Sequence, residues 1–262
     1  MTDLSSYQAD FSLHGRRALV SGSSNGLGLE IARAYAAHGA AIILNGRDAD
    51  RLHSVAEPLR AAGATVDVWP QDLADLDSLD ESFSDLCRRT GAPDILVNNV
   101  GIRLRSRLQD AAWDDIAHLL HVDLLASLKL SKLAAQAMLH AGTTGGRIVT
   151  LTSIAGPLAR PGDAIYPVAK QGLAGMVRSL AVEFGGQGIT SNGIAPGTFA
   201  TDSNAALAQD PVKGPLVVGR NPLGRWARPD EIRAAAVFLA SPAASYVNGH
   251  IVVVDGGFSI TF

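Results

Sequence analysis

The chain has 262 residues, of which 47% are hydrophobic and 27 are glycine, so it is long enough for one large core. Its formal net charge of −3 gives no global reason to expect nucleic-acid or membrane-surface binding, and no stretch offers the roughly 20 uninterrupted apolar residues that a bilayer span needs. The single cysteine, Cys87, excludes an internal disulfide and any cysteine-based metal cluster, and reads as a small apolar filler on a helix.

In chain order, Arg17-Ala18-Leu19-Val20 is a short strand-like run and Ser21 to Gly28 a glycine-rich turn, followed by a helical pattern from Leu29 to His38. Strand, turn and helix in that order are what a dinucleotide site requires. Gly22 permits the tight turn, Gly26 lets the backbone approach a pyrophosphate, and Gly28 lets the helix pack on the strand, while the helix N-terminus offers free N–H groups. The spacing is G-x-x-x-G-x-G, which departs from G-x-G-x-x-G, and an ordinary glycine-rich loop is the alternative.

The second strand, Ala41 to Asn45, runs into Gly46-Arg47 without the acidic residue that would accept from an adenosine 2′-hydroxyl. Arg47 can instead meet a 2′-phosphate with a charge-assisted fork, which favours NADP(H) and leaves NAD(H) possible. The competing reading is a solvated arginine with Asp48 as its local partner.

Further strands are expected over Thr65 to Trp69 and Ile95 to Asn98. The second of these ends in Asn98-Asn99-Val100-Gly101, at the sheet edge where open α/β sheets bind ligands. An Asn pair before Gly also makes plain turns. Arg103, Arg105 and Arg107 then alternate, and an extended loop would send them the same way to make an anion site; solvated arginines or a subunit contact are the alternative.

Arg147 to Thr152 reads as a buried strand that leaves Ser153 at its carboxyl end. Tyr166 and Lys170 are four apart and share a helix face. A cation one turn away favours the phenolate form of a tyrosine, which could then exchange a proton with an alcohol whose oxygen Ser153 orients. Strands Thr190 to Ile194 and Ile251 to Val254 complete a set of about seven. Between them, Ala200 to Asn221 is long enough for a substrate lid. Alternating strands and amphipathic stretches argue for an α/β fold, a doubly wound parallel sheet with helices on both faces. The seven histidines lack ligand spacing, so no metal is assigned, and the N-terminus, with Asp3 and Asp10, lacks a basic apolar leader, which points to the cytoplasm.

Ser21 to Gly28, Asp72, Asn98 to Gly101, Ser153, Tyr166 to Lys170, Asn192 and Pro196-Gly197 stand in the register of the short-chain dehydrogenase/reductases, which the chain resembles from about Phe11 to Gly257. The resemblance implies one Rossmann-type domain over residues 1–262, with a nucleotide-binding part near 11–150 and a catalytic and substrate-loop part near 151–262. It implies Ser153, Tyr166 and Lys170 as the catalytic set. The cofactor would meet Gly22, Ser24, Asn25, Gly26, Leu27, Gly28, Asn45, Arg47, Asp72, Leu73, Asn99, Gly101, Val122, Tyr166, Lys170, Pro196, Gly197, Phe199 and Thr201. Ser24 and Asn45 would help hold the 2′-phosphate, Asp72 would cap the adenine edge, and the last strand would lie at a homotetramer interface.

One position departs from that pattern. Where the family usually has an Asn that bends a helix and holds a relay water, this chain has Asp123. Asp123 can accept from the same water and adds a negative charge beside Lys170, or else caps a local backbone feature. The segments Gly101-Ile102-x-x-Arg105, Phe199 to Asn204 and Asn221 to Glu231 resemble the gluconate 5-dehydrogenase subfamily, which implies a sugar acid whose carboxylate Arg105 would bind. The shared motifs also permit a 3-oxoacyl thioester reductase. A nucleotide-binding regulatory protein without turnover is the reading from outside the enzymes.

Overall fold

A computed structural model describes residues 9–261; the N-terminal segment with Asp3 lies outside the described residues. Seven strands, β1 (Arg17–Val20), β2 (Ala41–Gly46), β3 (Val66–Pro70), β4 (Ile95–Asn98), β5 (Gly146–Leu151), β6 (Ile189–Pro196) and β7 (Ile251–Val254), form one parallel sheet in the order β3-β2-β1-β4-β5-β6-β7. Leu19 pairs with Ile43 on one side and Leu96 on the other, which fixes the register at the centre.

Successive residues of these strands point to opposite faces, so a sheet covered on both sides needs apolar residues throughout. Ala18, Val20, Ile42, Leu44, Val97 and Val149 face one way and pack under α1 (Gly26–Ala37), α2 (Ala49–Ala61) and α9 (Arg233–Ala240). Leu19, Ile43, Leu96 and Ile148 face the other way, against Phe83 of α3 (Leu76–Thr90), Leu130 of α5 (Ala126–His140) and Leu173 of α6 (Ile165–Gly185). Fully burying one such side chain contributes about 1.5–3 kcal/mol, and two layers of them fix the sheet that carries the site at its edge.

The strand order reverses at β1 and β4, so the crevice at their carboxyl ends is open to a ligand. Two boundaries differ from the sequence reading for physical reasons. The helix expected from Leu29 begins at Gly26, because the turn glycines continue into the first helical turn. The strand expected at Thr190 to Ile194 runs from Ile189 to Pro196: Asn192 is buried in it with its amide donating to Val247 O, and the Ser191 backbone N–H donates to Asn248 Oδ1 while its hydroxyl has no partner among the described residues.

Between α4 (Trp113–Leu120) and α5, residues His121–Leu125 form a π-helical turn. That turn rotates Asp123 into the interior. The stretch from Ala200 to Asn221 holds two short helices, α7 (Ala205–Gln209) and α8 (Lys213–Val218), tied back by the Trp226 indole N–H donating to Gly214 O at 3.0 Å.

Candidate active site

The glycine turn is shaped by close approach. A Cβ on Gly28 would lie 2.5 Å from Gly22 O and from the Asn99 amide nitrogen, so no side chain fits there. Gly22 and Gly26 have φ of 59° and 55°, the left-handed region. Asn25 precedes α1 with its side chain making no cap, which leaves the first-turn N–H groups available to an oxyanion. Asn99 donates its amide to Ser21 O and Gly22 O, both at 3.0 Å, and locks the turn.

Beyond the turn, a cavity of about 600 Å³ runs over Ser24, Arg47, Asp72, Leu73 and Val122. Arg47 is 80% exposed, and its partner is Asp72 Oδ2 at 4.0 Å, not Asp48, which instead caps α2 by accepting from Arg51 N–H. Asn45 corrects its expected role. Its amide donates to Trp69 O and Gln71 O and its carbonyl accepts from Gly22 N–H at 3.3 Å, so it braces the turn and has no donor left for a phosphate. Arg51 lines the same cavity and was missed. The signal was a second cation four residues after Arg47.

The cleft continues through Leu27, Asn99, Gly101 and Thr201 into a second cavity of about 760 Å³, lined by Ser153, Tyr166, Lys170, Pro196, Gly197 and Phe199. Ser153 follows β5, and its Oγ accepts from Ala155 N–H at 3.1 Å; Ile154 N–H donates to Pro196 O at 3.2 Å and ties this turn to the end of β6. Tyr166 occupies the first turn of α6, and buried Lys170 follows one turn later with Nζ 5.3 Å from the phenol ring centre. A third cavity, of about 790 Å³, opens at the amino ends of the strands near His14 and Arg33, and its walls carry no tyrosine, serine or lysine.

Asp123 is fully buried, with Oδ2 3.0 Å from Lys170 Nζ and Oδ1 accepting from Ile102 N–H at 2.6 Å. It therefore meets Lys170 directly. Gly101 makes room for the pair, since a Cβ there would lie 3.0 Å from both charged atoms. The two groups stand at ion-pair distance, although Asp123 Oδ2 has no hydrogen-bond partner among the described residues, and Lys170 also lines the catalytic cavity.

The three alternating arginines do not converge as expected. Arg103 and Arg105 line the catalytic cavity, whereas Arg107 stands at the start of the 3₁₀ turn Leu108–Asp110 and does not. Arg103 pairs with Asp163, a buried residue that sequence reasoning missed because Pro161-Gly162-Asp163 reads as a solvated turn. Arg105 makes no ion pair or hydrogen bond among the described residues.

Backbone donors for a phosphate at one end of the cleft and a proton-transferring hydroxyl set at the other suit an oxidoreductase that works with a nicotinamide nucleotide on a CH–OH group. Residues 22–259 match the family model described as enoyl-(acyl carrier protein) reductase. The chain is 37% identical over 251 residues to a gluconate 5-dehydrogenase of Gluconobacter oxydans (strain 621H), covering 96% of this chain and 97% of that one. It is 36% identical to a 3-oxoacyl-[acyl-carrier-protein] reductase of Salmonella typhimurium, covering 94% and 98%. A crystal structure of a gluconate 5-dehydrogenase from Burkholderia cenocepacia J2315, in complex with NADP and tartrate, superposes with a TM-score of 0.93 at 36% identity, covering 98% of this chain and 100% of that one. The chain belongs to the short-chain dehydrogenase/reductase family, and is an NAD(P)-dependent oxidoreductase of that family.

Proposed function

We propose that the chain interconverts a sugar acid and its keto form, in the manner of gluconate and 5-ketogluconate, using NADP(H). The observation that carries this reading is Arg105, a guanidinium without an ion-pair partner among the described residues, on the wall of the cavity that holds Ser153, Tyr166 and Lys170. The same cavity is lined by Thr201, Ser203 and Asn204, polar groups suited to a polyhydroxylated anion, beside the apolar Phe199 and Leu207.

The glycine turn and the uncapped start of α1 fit a pyrophosphate, and Arg47 with Arg51 fits a 2′-phosphate, which is why NADP(H) is preferred and NAD(H) remains usable. When bound, the nucleotide accepts or supplies the hydride. In reduction, Tyr166 Oη gives a proton to the substrate oxygen, Ser153 Oγ orients that oxygen, and Lys170 holds the nicotinamide ribose and supplies positive charge beside the phenol. In oxidation the same groups run in reverse. Asp123 keeps the Lys170 ammonium in place, and its second oxygen fixes the backbone of Ile102 at the cavity mouth. Residues up to about 150 then serve chiefly the nucleotide and those after it the substrate, with Asp123 and the arginines as the exceptions. The edge of β7, where Val253 is 51% exposed, supports a homotetramer contact, to be measured by light scattering.

The test is oxidation of NADPH and NADH by the purified protein with 5-ketogluconate or with a 3-oxoacyl thioester. Turnover of the sugar acid is expected, with the Arg105→Ala variant raising its KM about ten- to a hundredfold through loss of a charge-assisted contact. Turnover of the thioester alone, unaffected by Arg105→Ala, would refute the reading.

A further inference from the structure

Arg103 leaves the extended segment after Gly101 and lies over the Tyr166 ring, its guanidinium carbon 4.7 Å from the ring centre. Asp163 holds it there: Oδ2 of that carboxylate accepts from Arg103 Nη2 and, at 3.2 Å, from Arg160 Nε. The Asp163 side chain is 2% exposed, and its Oδ1 is buried without a hydrogen-bond partner among the described residues. A carboxylate so placed depends on its guanidinium partners for its charge, so the contact is fixed from the buried side and Arg103 has little freedom to leave the ring.

Lys170 approaches the same ring from another direction, but its charge is matched by buried Asp123. The ring thus carries two cations, each anchored by its own buried carboxylate. Arg160 adds a further positive charge that Asp163 alone does not balance.

We propose that Arg103 is a positioning residue for Tyr166, fixing the plane of the phenol and supplying a cation whose attraction grows as the phenolic oxygen gives up its proton. Asp163 positions Arg103 in turn. Arg105, two residues on, is left to the substrate. The proposal rests on Tyr166 as the proton-transferring group and is independent of which ketone is reduced.

The experiment has two arms. In the first, kcat and KM are measured for Arg103→Met, Arg103→Lys, Asp163→Asn and the Met/Asn double variant, with NADPH and whichever ketone the wild type reduces. Arg103→Met is expected to lower kcat about three- to thirtyfold, with ketone KM and NADPH affinity within about twofold of wild type. Arg103→Lys should recover part of the loss, Asp163→Asn should repeat it, and the double variant should add nothing further. A raised ketone KM at unchanged kcat would overturn the proposal and make Arg103 an anion-binding group.

The second arm needs no substrate and is readable even if Arg103→Met folds poorly, because Arg103→Lys and Asp163→Asn also report. The protein is labelled with fluorotyrosine, and the Tyr166 fluorine resonance is identified by its loss in Tyr166→Phe. The resonance should move in the Arg103 and Asp163 variants in the presence of NADP. An unmoved line overturns the proposal whatever the substrate is. A moved line in a protein that ignores sugar acids supports it and refutes only the sugar-acid reading.

Discussion

The two ends of the cleft are built on different physics. At the nucleotide end, polar side chains are consumed in shaping backbone: Asn45 on Trp69 O and Gln71 O, Asn99 on Ser21 O and Gly22 O, His121 on Ala74 O. At the catalytic end, buried carboxylates are paired with cations, Asp123 with Lys170 and Asp163 with Arg103 and Arg160. The first end recognises a shape through main-chain N–H groups and tolerates little variation. The second distributes charge around one phenol, so substitutions there act on the chemistry and, where a buried charge loses its partner, on stability as well.

The largest expected effect tests whether catalysis belongs to that second end alone. Tyr166→Phe should lower turnover by about 10²–10⁴-fold and leave NADPH affinity unchanged, measured by steady-state kinetics and fluorescence titration. Weakened nucleotide binding in that variant would blur the division.

Next, Asp123→Leu leaves the Lys170 ammonium buried without its partner and should destabilise the protein by about 3–5 kcal/mol, read from urea denaturation. Asp123→Asn retains an acceptor for Ile102 N–H and should cost less. Equal losses for both would mean that the charge has no structural part.

At the nucleotide end, Arg47→Ala should weaken NADPH binding about three- to tenfold with NADH unaffected, since the side chain is exposed and screened. Unchanged NADPH affinity would hand discrimination to Arg51.

The smallest effect sits outside both ends. The Arg225 guanidinium fork and the Arg228 N–H hold the Glu231 carboxyl down at about 2, from an ordinary 4.5. Because its folded-state value is depressed, the stability it contributes is complete above 4.5 and is lost as pH falls toward 2. Urea midpoints of wild type and Glu231→Gln should differ slightly near neutrality and converge in acid, as solvent screening of an exposed group requires.

The sheet was legible because each strand is an apolar run ended by a turn signal, and the catalytic helix because Tyr166 and Lys170 are one turn apart. At Asp123 the resemblance pointed to a helix bend, but the π-helical form of that bend and the direct pairing of Asp123 with Lys170 of α6 were not legible, because Leu120-His121-Val122-Asp123-Leu124 has the periodicity of an unbroken helix. The burial of Asp163 was hidden, since its partner Arg103 lies 60 residues away and was read as one of three alternating arginines that face the same way. Asn45 was read as a ligand because its position was legible, while the carbonyls that absorb its amide belong to β3 and the residue after it.

The segment leaving β6 and the one entering α9 meet in a single parallel bridge, Phe199 to Ala227, with Ala200 N–H donating to Ala227 O and Ala227 N–H to Thr198 O, each at 2.9 Å. Everything between those residues is therefore a closed excursion whose two feet stand on the same spot. Lengthening such a closed loop is cheap, about 0.6 kcal/mol for each doubling, because its ends are already joined. The bridge therefore sets where the stretch leaves and rejoins the sheet edge, whatever its length, and Arg220, stacked on Phe258 and bonded to Thr261, pins its far side to the segment after β7.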